Sequence, residues 1–225
     1  MANARRSLPG TFVVAIDGPA ASGKGTLARR LAERFGFAHL ETGALYRASA
    51  LLILDQGGDP ADTPTAVAAA RRVSPHLLSD PRLRGEDVTR AASIIAADPE
   101  VRRSLLDFQR DFAAHPPMPA RGAILDGRDI GSVVCPAANV KLFVTADAEV
   151  RARRRLDELR ACGSSAIYQD VLQELKDRDR RDTKRAAAPM AVPIDATIID
   201  TTALDIDAAV ERASQIVARA LAGGR

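Results

Sequence analysis

A short apolar run near the start of the chain leads into a glycine-rich loop and then a helical segment, and this order constrains the fold more than any other feature. Thr11 to Ile16 (TFVVAI) carries the β-branched and aromatic side chains typical of a buried strand. Gly18 to Thr26 (GPAASGKGT) follows, and large apolar residues then recur every fourth position from Leu27 to Phe35. The sequence therefore predicts a strand, a tight loop and an amphipathic helix in succession.

The loop has the spacing of a P-loop. Its glycines allow successive backbone N–H groups to point at phosphate oxygens, and the following helix adds its N-terminal dipole. Lys24 would reach the β- and γ-phosphates of ATP, and Thr26 would lie near Mg²⁺, because Gly25 occupies the usual hydroxyl position. A glycine-rich turn that binds no ligand is the alternative interpretation. The predicted ATP-binding residues are Gly18, Pro19, Ala20, Ala21, Ser22, Gly23, Lys24, Gly25 and Thr26.

Strand-like and helix-like segments alternate along the rest of the chain. Further buried strands are predicted at Gly122–Leu125, Val140–Val144 and Ala196–Ile199. The pattern between residues 65 and 115 is mostly helical, with an interruption at 74–87. Other helices are predicted at Leu45–Leu54, Ala148–Cys162, Ala166–Arg185 and Ile206–Leu221. This alternation predicts an α/β protein with a parallel β-sheet core flanked by helices.

Basic residues are concentrated in one segment. The chain has 225 residues, with 32 Lys and Arg against 29 Asp and Glu, but residues 151–185 alone hold 11 basic and 7 acidic residues. This local excess favours an anion-binding segment over a general nucleic-acid coat. Only two tyrosines, six phenylalanines and no tryptophan are present, whereas proteins that bind single strands stack bases on aromatic side chains.

The chain is expected to be a reduced, cytoplasmic protein. Arg5 and Arg6 precede an apolar run, Phe12–Ile16, that is too short for a signal peptide or a membrane span. Cys135 and Cys162 form no CxxC motif, and the three histidines are scattered.

Three further motifs make a resemblance specific. They are Glu41-Thr-Gly-Ala-Leu-Tyr-Arg47, Asp126-Gly-Arg-Asp-Ile-Gly131 and Arg178-Asp-Arg-Arg-Asp-Thr-Lys-Arg-Ala-Ala-Ala-Pro189. With the GKGT form of the P-loop, in this order and spacing, they resemble the bacterial cytidylate kinases, which phosphorylate CMP and dCMP from ATP. The resemblance covers residues 11–222, although the segment before Ala91 is shorter than in longer members of the family.

The resemblance implies a role for several arginines, whose planar guanidinium groups suit phosphate oxygens. Arg47 and Arg128 would hold the CMP phosphate, and Arg185, with Arg154 and Arg155, would close over the phosphoryl group in transfer. The implied catalytic residues are Lys24, Arg128, Arg154 and Arg185. Mg²⁺ would accompany ATP at Thr26, with Asp126 as a further candidate acting through water; an ordinary Asp-Gly turn is the alternative for Asp126.

The resemblance also implies how cytosine is distinguished from uracil. Asp129 would accept from the cytosine amino group, with Arg102 and Ser93 near N3 and O2, and Arg178 and Asp182 would contact the sugar. The implied CMP-binding residues are Thr42, Arg47, Ser93, Arg102, Arg128, Asp129, Arg178 and Asp182.

The expected organisation is a single kinase domain over residues 1–225. Its core would comprise 11–47, 117–150 and 186–225, with a helical nucleoside-monophosphate insert at 48–116 and an arginine-rich lid at 151–185. The expected partners are ATP and CMP or dCMP, with no nucleic-acid polymer, no membrane and a monomeric state. Two alternatives remain open: another small-molecule P-loop kinase, such as an adenylate, uridylate, shikimate or dephospho-coenzyme A kinase, and a non-catalytic nucleotide switch or RNA-binding protein.

Overall fold

A computed structural model describes residues 10–161 and 163–223 of the chain. The predictions that involve Arg5, Arg6 and Cys162 lie outside the described residues. Within the described part, no helix is both long enough and apolar enough to cross a bilayer.

Five parallel strands form one sheet in the order β2-β3-β1-β4-β5. The predicted parallel sheet with flanking helices is therefore confirmed. The strands are β1 (Phe12–Asp17), β2 (Ala38–Glu41), β3 (Gly122–Gly127), β4 (Val140–Thr145) and β5 (Thr197–Asp200).

The helices cover both faces of the sheet. They are α1 (Lys24–Phe35), α2 (Thr42–Leu54), α3 (Thr63–Arg71), α4 (Glu86–Ile95), α5 (Pro99–Ala114), α6 (Ala148–Ala161), α7 (Tyr168–Lys184) and α8 (Ile206–Gly223). Two short 3-10 helices, Pro75–Ser79 and Pro81–Arg84, occupy the interruption in the helical middle block. A π-helical turn, Ile130–Val134, follows β3.

The central strand is buried because residues along it face apolar clusters on both sides. Val14 and Ile16 pack with α1 and α8, whereas Ala15 packs with α2 and the middle helices. Leu27 and Leu31 supply the buried face of α1, as their spacing predicted. A smaller cluster joins α6 and α7 to Ala20 of the P-loop. The loop thus lies where the sheet and the α6–α7 pair meet.

One strand was missed by the sequence interpretation. Ala38–Glu41 pairs in parallel with β3, yet it is only four residues long and contains His39 and Glu41. A strand at the edge of a sheet needs fewer apolar residues than a central one, so no continuous apolar run marks it. Its position matters because it ends directly before α2.

All five strands point the same way, so their carboxyl ends form one edge of the sheet. In parallel α/β proteins ligands bind at this edge. The P-loop follows β1 here, and Glu41, Asp126 and Asp200 occur at the ends of β2, β3 and β5. The fold therefore gathers residues that are far apart in sequence around the P-loop.

Gly18 allows the P-loop to pass close to β4. Its φ is +151°, and a Cβ placed on it would lie 2.0 Å from the carbonyl oxygen of Val144. Gly25, by contrast, is helical, and a Cβ there would meet no atom within 4 Å. The two glycines of the motif therefore differ in what they require from the backbone.

We expect Gly18→Ala to lower the free energy of unfolding by roughly 2–4 kcal/mol, because alanine meets both a strained φ and a backbone overlap. Gly25→Ala is the matched control and should raise it by up to about 1 kcal/mol, because alanine favours the helix. Urea denaturation of the nucleotide-free proteins measures both values. Equal stability of the two variants would contradict the close approach at Gly18.

Candidate active site

The P-loop joins β1 to α1 through a backbone shape that favours exposed N–H groups. Gly23 (φ +85°) caps α1, and Ala21 is one of the few residues other than glycine with a positive φ (+57°). The Ala20 carbonyl accepts from Arg151 Nη1 (3.2 Å), and the Ser22 carbonyl accepts from the Thr201 hydroxyl (3.0 Å). Because neighbouring elements hold these carbonyls, the loop is fixed before any phosphate binds.

Lys24 lies among positive charges. Its Nζ donates to the Pro19 carbonyl (3.4 Å). Burial is the main cause that lowers the pKa of Lys24 to about 7; the guanidinium groups of Arg128 and Arg178 add to it, and Asp126 and Glu41 oppose it. The free ammonium thus lacks the anionic partner that a bound phosphate would provide.

The end of β3 is fastened to β2 and α2. Asp126 is buried beside Ile16 of β1, and its Oδ2 lies 2.8 Å from His39 Nε2. Thr42 donates its hydroxyl proton to the Asp126 carbonyl (2.8 Å). A Cβ on the next residue, Gly127, would lie 2.5 Å from Thr42 Oγ1. The end of β3 and the start of α2 therefore pack too closely for a larger residue at position 127.

Arg128 and Arg185 lie beside Asp182. Arg128 Nε donates to Asp182 Oδ2 (2.8 Å), and Arg185 Nη1 lies 4.0 Å from Asp182 Oδ1. Burial alone would raise the pKa of Asp182, but Arg128 and Arg178 hold it below its usual range. This carboxylate therefore stays ionised and links the loop after β3 to α7.

Asp129 accepts from two arginines that come from different elements. Arg102 of α5 binds Oδ2 and also donates to the Ala96 carbonyl (3.1 Å), while Arg185 Nη2 lies 3.5 Å from Oδ1. The Arg102 guanidinium lies 5.5 Å from the centre of the Tyr46 ring. Asp129 is 5% exposed, so its carboxylate is buried together with the two arginine groups that pair with it.

Two buried arginine nitrogens lack partners. Arg47 Nη2 binds Glu41 Oε1 (2.6 Å), but its Nε is buried without a hydrogen bond, and so is Arg178 Nε. Burial and the nearby Arg128 lower the pKa of Arg178 to about 10. Leaving a buried charged donor unpaired is costly, so these nitrogens mark a place prepared for an anion.

Ser93 lies on α4, and the arginines of α6 lie near the P-loop and Arg178. Ser93 is buried on α4, and its hydroxyl has no hydrogen-bond partner. Arg154 donates to the hydroxyl (2.9 Å) and the carbonyl (2.7 Å) of Thr201, so it lies beside Ser22 of the P-loop. Arg155 is close enough to Arg178 to lower its pKa and also pairs with Glu158.

Most of the residues singled out from the sequence therefore meet at one edge of the sheet. Close charge contacts connect Lys24, Arg47, Arg102, Asp126, Arg128, Asp129, Arg178, Asp182 and Arg185. Arg154 is bonded to Thr201 instead, and Thr26 is exposed on the first turn of α1.

Three residues at the site escaped the sequence interpretation. Asp17 binds the backbone of Ile130 and Gly131, and Arg151 joins the P-loop to Asp179 of α7 (2.7 Å). Thr201 connects Arg154 to the P-loop. Each of the three binds largely to backbone atoms of other segments, and such contacts leave no pattern of residue types in the sequence. The signal available at Asp17 was a charged residue at the end of an apolar strand.

Comparison with known proteins identifies the family. A protein-family model described as cytidylate kinase matches residues 14–219, which include the P-loop and every side chain of the charged cluster. The chain belongs to the cytidylate kinase family. Its membership agrees with the resemblance of the four motifs.

Curated members of the cytidylate kinase family cover almost the whole chain. The cytidylate kinase of Rhodospirillum rubrum is 54% identical over 207 residues, which are 92% of this chain and 97% of that protein. The cytidylate kinase of Granulibacter bethesdensis is 55% identical over 208 residues, again 92% of this chain and 97% of that protein. The similarity therefore spans the core, the middle helices and the basic segment.

Solved structures support the fold of this cytidylate kinase family member. An uncharacterized protein from Eubacterium ventriosum aligns with a TM-score of 0.54 at 14% identity, covering 93% of this chain and 99% of its own. A gluconokinase from Sinorhizobium meliloti aligns with a TM-score of 0.50 at 14% identity, covering 95% and 94%. These neighbours share the arrangement of sheet and helices.

The lowered pKa of Lys24 predicts proton uptake when ATP binds at pH 8. Lys24 is mostly neutral in the free protein at that pH, and the phosphates would raise its pKa and draw in a proton. Calorimetric titrations in two buffers of different ionisation enthalpy should therefore give different binding heats. The difference should correspond to the uptake of up to about one proton per ATP bound.

Lys24→Arg provides the control, because arginine stays charged at this pH. Its binding heats should lose most of the buffer dependence. Equal buffer dependence in the wild type and the variant would assign the proton to another group.

Proposed function

We propose that this protein transfers the γ-phosphoryl group of ATP to CMP or dCMP, giving CDP or dCDP. The observation that carries the proposal is the arginine cluster beside the P-loop, whose members come from α2, α5, the loop after β3, and α7 with the residue that follows it. Such a cluster, with Lys24 at its margin, is suited to bind the phosphates of two nucleotides.

The P-loop is the proposed site of the ATP phosphates. Backbone N–H groups from Gly18 to Thr26 would surround the β-phosphate, and Lys24 would neutralise charge on the β- and γ-phosphates. Arg151 and Thr201 support this role by holding the carbonyls of the loop, which leaves the N–H groups directed away from them. Positioning of this kind accounts for much of phosphoryl-transfer catalysis.

The CMP phosphate is proposed to lie between Arg47 and Arg128. The unpartnered Nε of Arg47 supports this, since a phosphate oxygen would satisfy it. Arg128 would exchange part of its pairing with Asp182 for the phosphate, and Arg178 and Asp182 would meet the sugar hydroxyls. Arg185, held 3.5 Å from Asp129, would stabilise the phosphoryl group in transfer, with Arg154 and Arg155 approaching from α6.

Asp129, Arg102 and Ser93 are the proposed base-reading residues. Asp129 pairs with Arg102 and Arg185, but each carboxylate oxygen has a second lone pair that can accept from the cytosine amino group. The unpartnered hydroxyl of Ser93 supports a contact with N3 or O2. Uracil would place O4 against the carboxylate and should bind poorly for that reason.

Mg²⁺ is proposed to enter with ATP. Among the described residues no three His, Cys, Asp or Glu side chains are grouped in a way that could hold a metal by themselves. The Thr26 hydroxyl and the Asp126 carboxylate are hard oxygen donors, which fit an ion that keeps several waters and binds through phosphates. Mg²⁺ would neutralise charge on the phosphate oxygens; His39 would orient Asp126 towards it.

The same proposal gives the segments of the chain their roles. Residues 48–116 would form the insert that binds CMP, and residues 151–185 the lid that closes over both nucleotides and excludes water. We propose a cytoplasmic monomer, because both substrates are small soluble nucleotides and the cluster lies within one chain.

The acceptor profile tests the proposed function. With ATP and Mg²⁺ present, CMP and dCMP should be phosphorylated with kcat/KM about 10²–10⁴ times higher than UMP, because the cytosine amino group can donate to Asp129 whereas uracil O4 cannot, and both should also be preferred over AMP. A coupled assay for ADP formation measures all four acceptors. A preference for AMP, or for an acceptor that is not a nucleotide, would overturn the assignment.

Asp129→Asn extends the same measurement. An amide can donate to uracil O4, so the CMP/UMP ratio should fall by roughly tenfold, the effect of about one hydrogen bond. Asp207→Asn is the matched control, since Asp207 lies on the exposed surface and pairs with Arg30. An unchanged ratio in Asp129→Asn would assign base reading to another residue.

A further inference from the structure

Asp17 is a buried carboxylate that the proposed chemistry does not use. It is the last residue of β1, directly before Gly18 of the P-loop, and is 1% exposed. Its Oδ1 accepts from the backbone N–H of Ile130 (2.7 Å), and its Oδ2 accepts from that of Gly131 (2.8 Å). One carboxylate therefore holds two successive amides in the segment that follows Asp129.

Burying a carboxylate is costly unless strong hydrogen bonds compensate. Burial raises the pKa of Asp17 to about 6, although Ile130 and Gly131 oppose the rise. If the side chain at position 17 served only to fill space in the core, an uncharged residue would do so without this cost. The two amides are the feature that requires two acceptor oxygens at this position, because a buried N–H without a partner is itself unfavourable.

The two amides lie at the start of the π-helical turn, next to two residues of the charged cluster. Asp129 precedes Ile130 directly, and Arg128 precedes Asp129. A Cβ on Gly131 would lie 3.3 Å from Asp17 Oδ2, so the turn approaches the carboxylate closely. The end of β1 thus fixes both the P-loop and the loop that carries Arg128 and Asp129.

We propose that Asp17 is a positioning residue that couples the P-loop to the Arg128–Asp129 loop and sets where those two side chains meet CMP. This inference rests on the proposed function for its kinetic consequence. The structural part, that Asp17 holds the Ile130 and Gly131 amides and so the place of Arg128, stands on the hydrogen bonds alone.

Asp17→Asn is the direct test, because it keeps the shape of the side chain. One oxygen can still accept, but the amide nitrogen is a donor facing an N–H, so one of the two backbone bonds is lost. We expect kcat/KM for CMP to fall roughly 10²-fold, as for a small displacement of reacting groups, while KM for ATP changes by less than about threefold.

Val210→Ala is the matched control for lost stability. Val210 is buried on α8, in the cluster on the α1–α8 face of the sheet, and its truncation should lower Tm without moving the loop. If Val210→Ala lowers kcat/KM for CMP as much as Asp17→Asn does, the effect is one of stability and the proposal fails. A change in KM for ATP well beyond about threefold in Asp17→Asn would also overturn the proposal.

Amide NMR tests the structural part without substrate. The Ile130 and Gly131 N–H signals of the wild type should titrate together with a midpoint near pH 6, and this transition should be absent in Asp17→Asn. The charged or titratable groups facing Asp17 are Arg128, Asp129 and the Cys135 thiol, with Lys141 of β4 beside Gly131.

The Arg128 Nε–H signal gives the remaining readout, since it reports the bond to Asp182. In Asp17→Asn it should shift or broaden. If all three signals are unchanged, Asp17 does not position this loop, whatever the acceptor proves to be. If the wild type phosphorylates neither CMP nor dCMP, the proposed function fails, and these signals still decide whether Asp17 holds the loop.

Discussion

Repulsion between partly buried arginines is the constraint on which the rest of this structure depends. Arg128 and Arg178 lie near Lys24, and Arg47 and Arg128 lie near Arg178, so burial and neighbouring charges lower the pKa of both Lys24 and Arg178. Without anions such a cluster would be unstable. Asp129, Asp182 and Glu41 supply part of the compensation, and the unpartnered nitrogens show that it is incomplete.

The fold makes this arrangement possible by bringing separate strands to one edge. The ends of β1, β2 and β3 place the P-loop, α2 and the Arg128–Asp129 loop side by side, and α7 contributes Arg178 and Asp182 to the same cluster. Buried polar contacts then fix each piece: Asp17 holds the turn after β3, His39 holds Asp126, and Arg151 joins the P-loop to α7. In this member of the cytidylate kinase family, these contacts fix the backbone around the charged cluster, whereas the Nε atoms of Arg47 and Arg178 within it have no hydrogen-bond partner.

The sequence predicted the elements that have a regular apolar pattern and the residues that belong to chemically distinctive motifs. Short apolar runs identified β1, β3, β4 and β5, and apolar residues at every fourth position identified α1. The motifs and the resemblance they carry identified the residues of the charged cluster. The strand Ala38–Glu41 was missed because its four residues include two polar ones at an edge of the sheet. Asp17, Arg151 and Thr201 were missed because they bind backbone atoms of distant segments, which only the folded chain brings near. The role of Arg154 at the transferring group stays a prediction; its guanidinium lies against Thr201, which binds the Ser22 carbonyl of the P-loop.

The central claim is that the arginine cluster is held ready by carboxylates and completed by the acceptor phosphate. A crystal structure with CMP bound tests it most directly. The account predicts that Nε of Arg47 lies within hydrogen-bond distance of the CMP phosphate and that Arg128 gives up part of its contact with Asp182 for the same group. A complex in which the phosphate lies elsewhere, with Arg47 Nε still unpartnered and the Arg128–Asp182 pair unchanged, would contradict it.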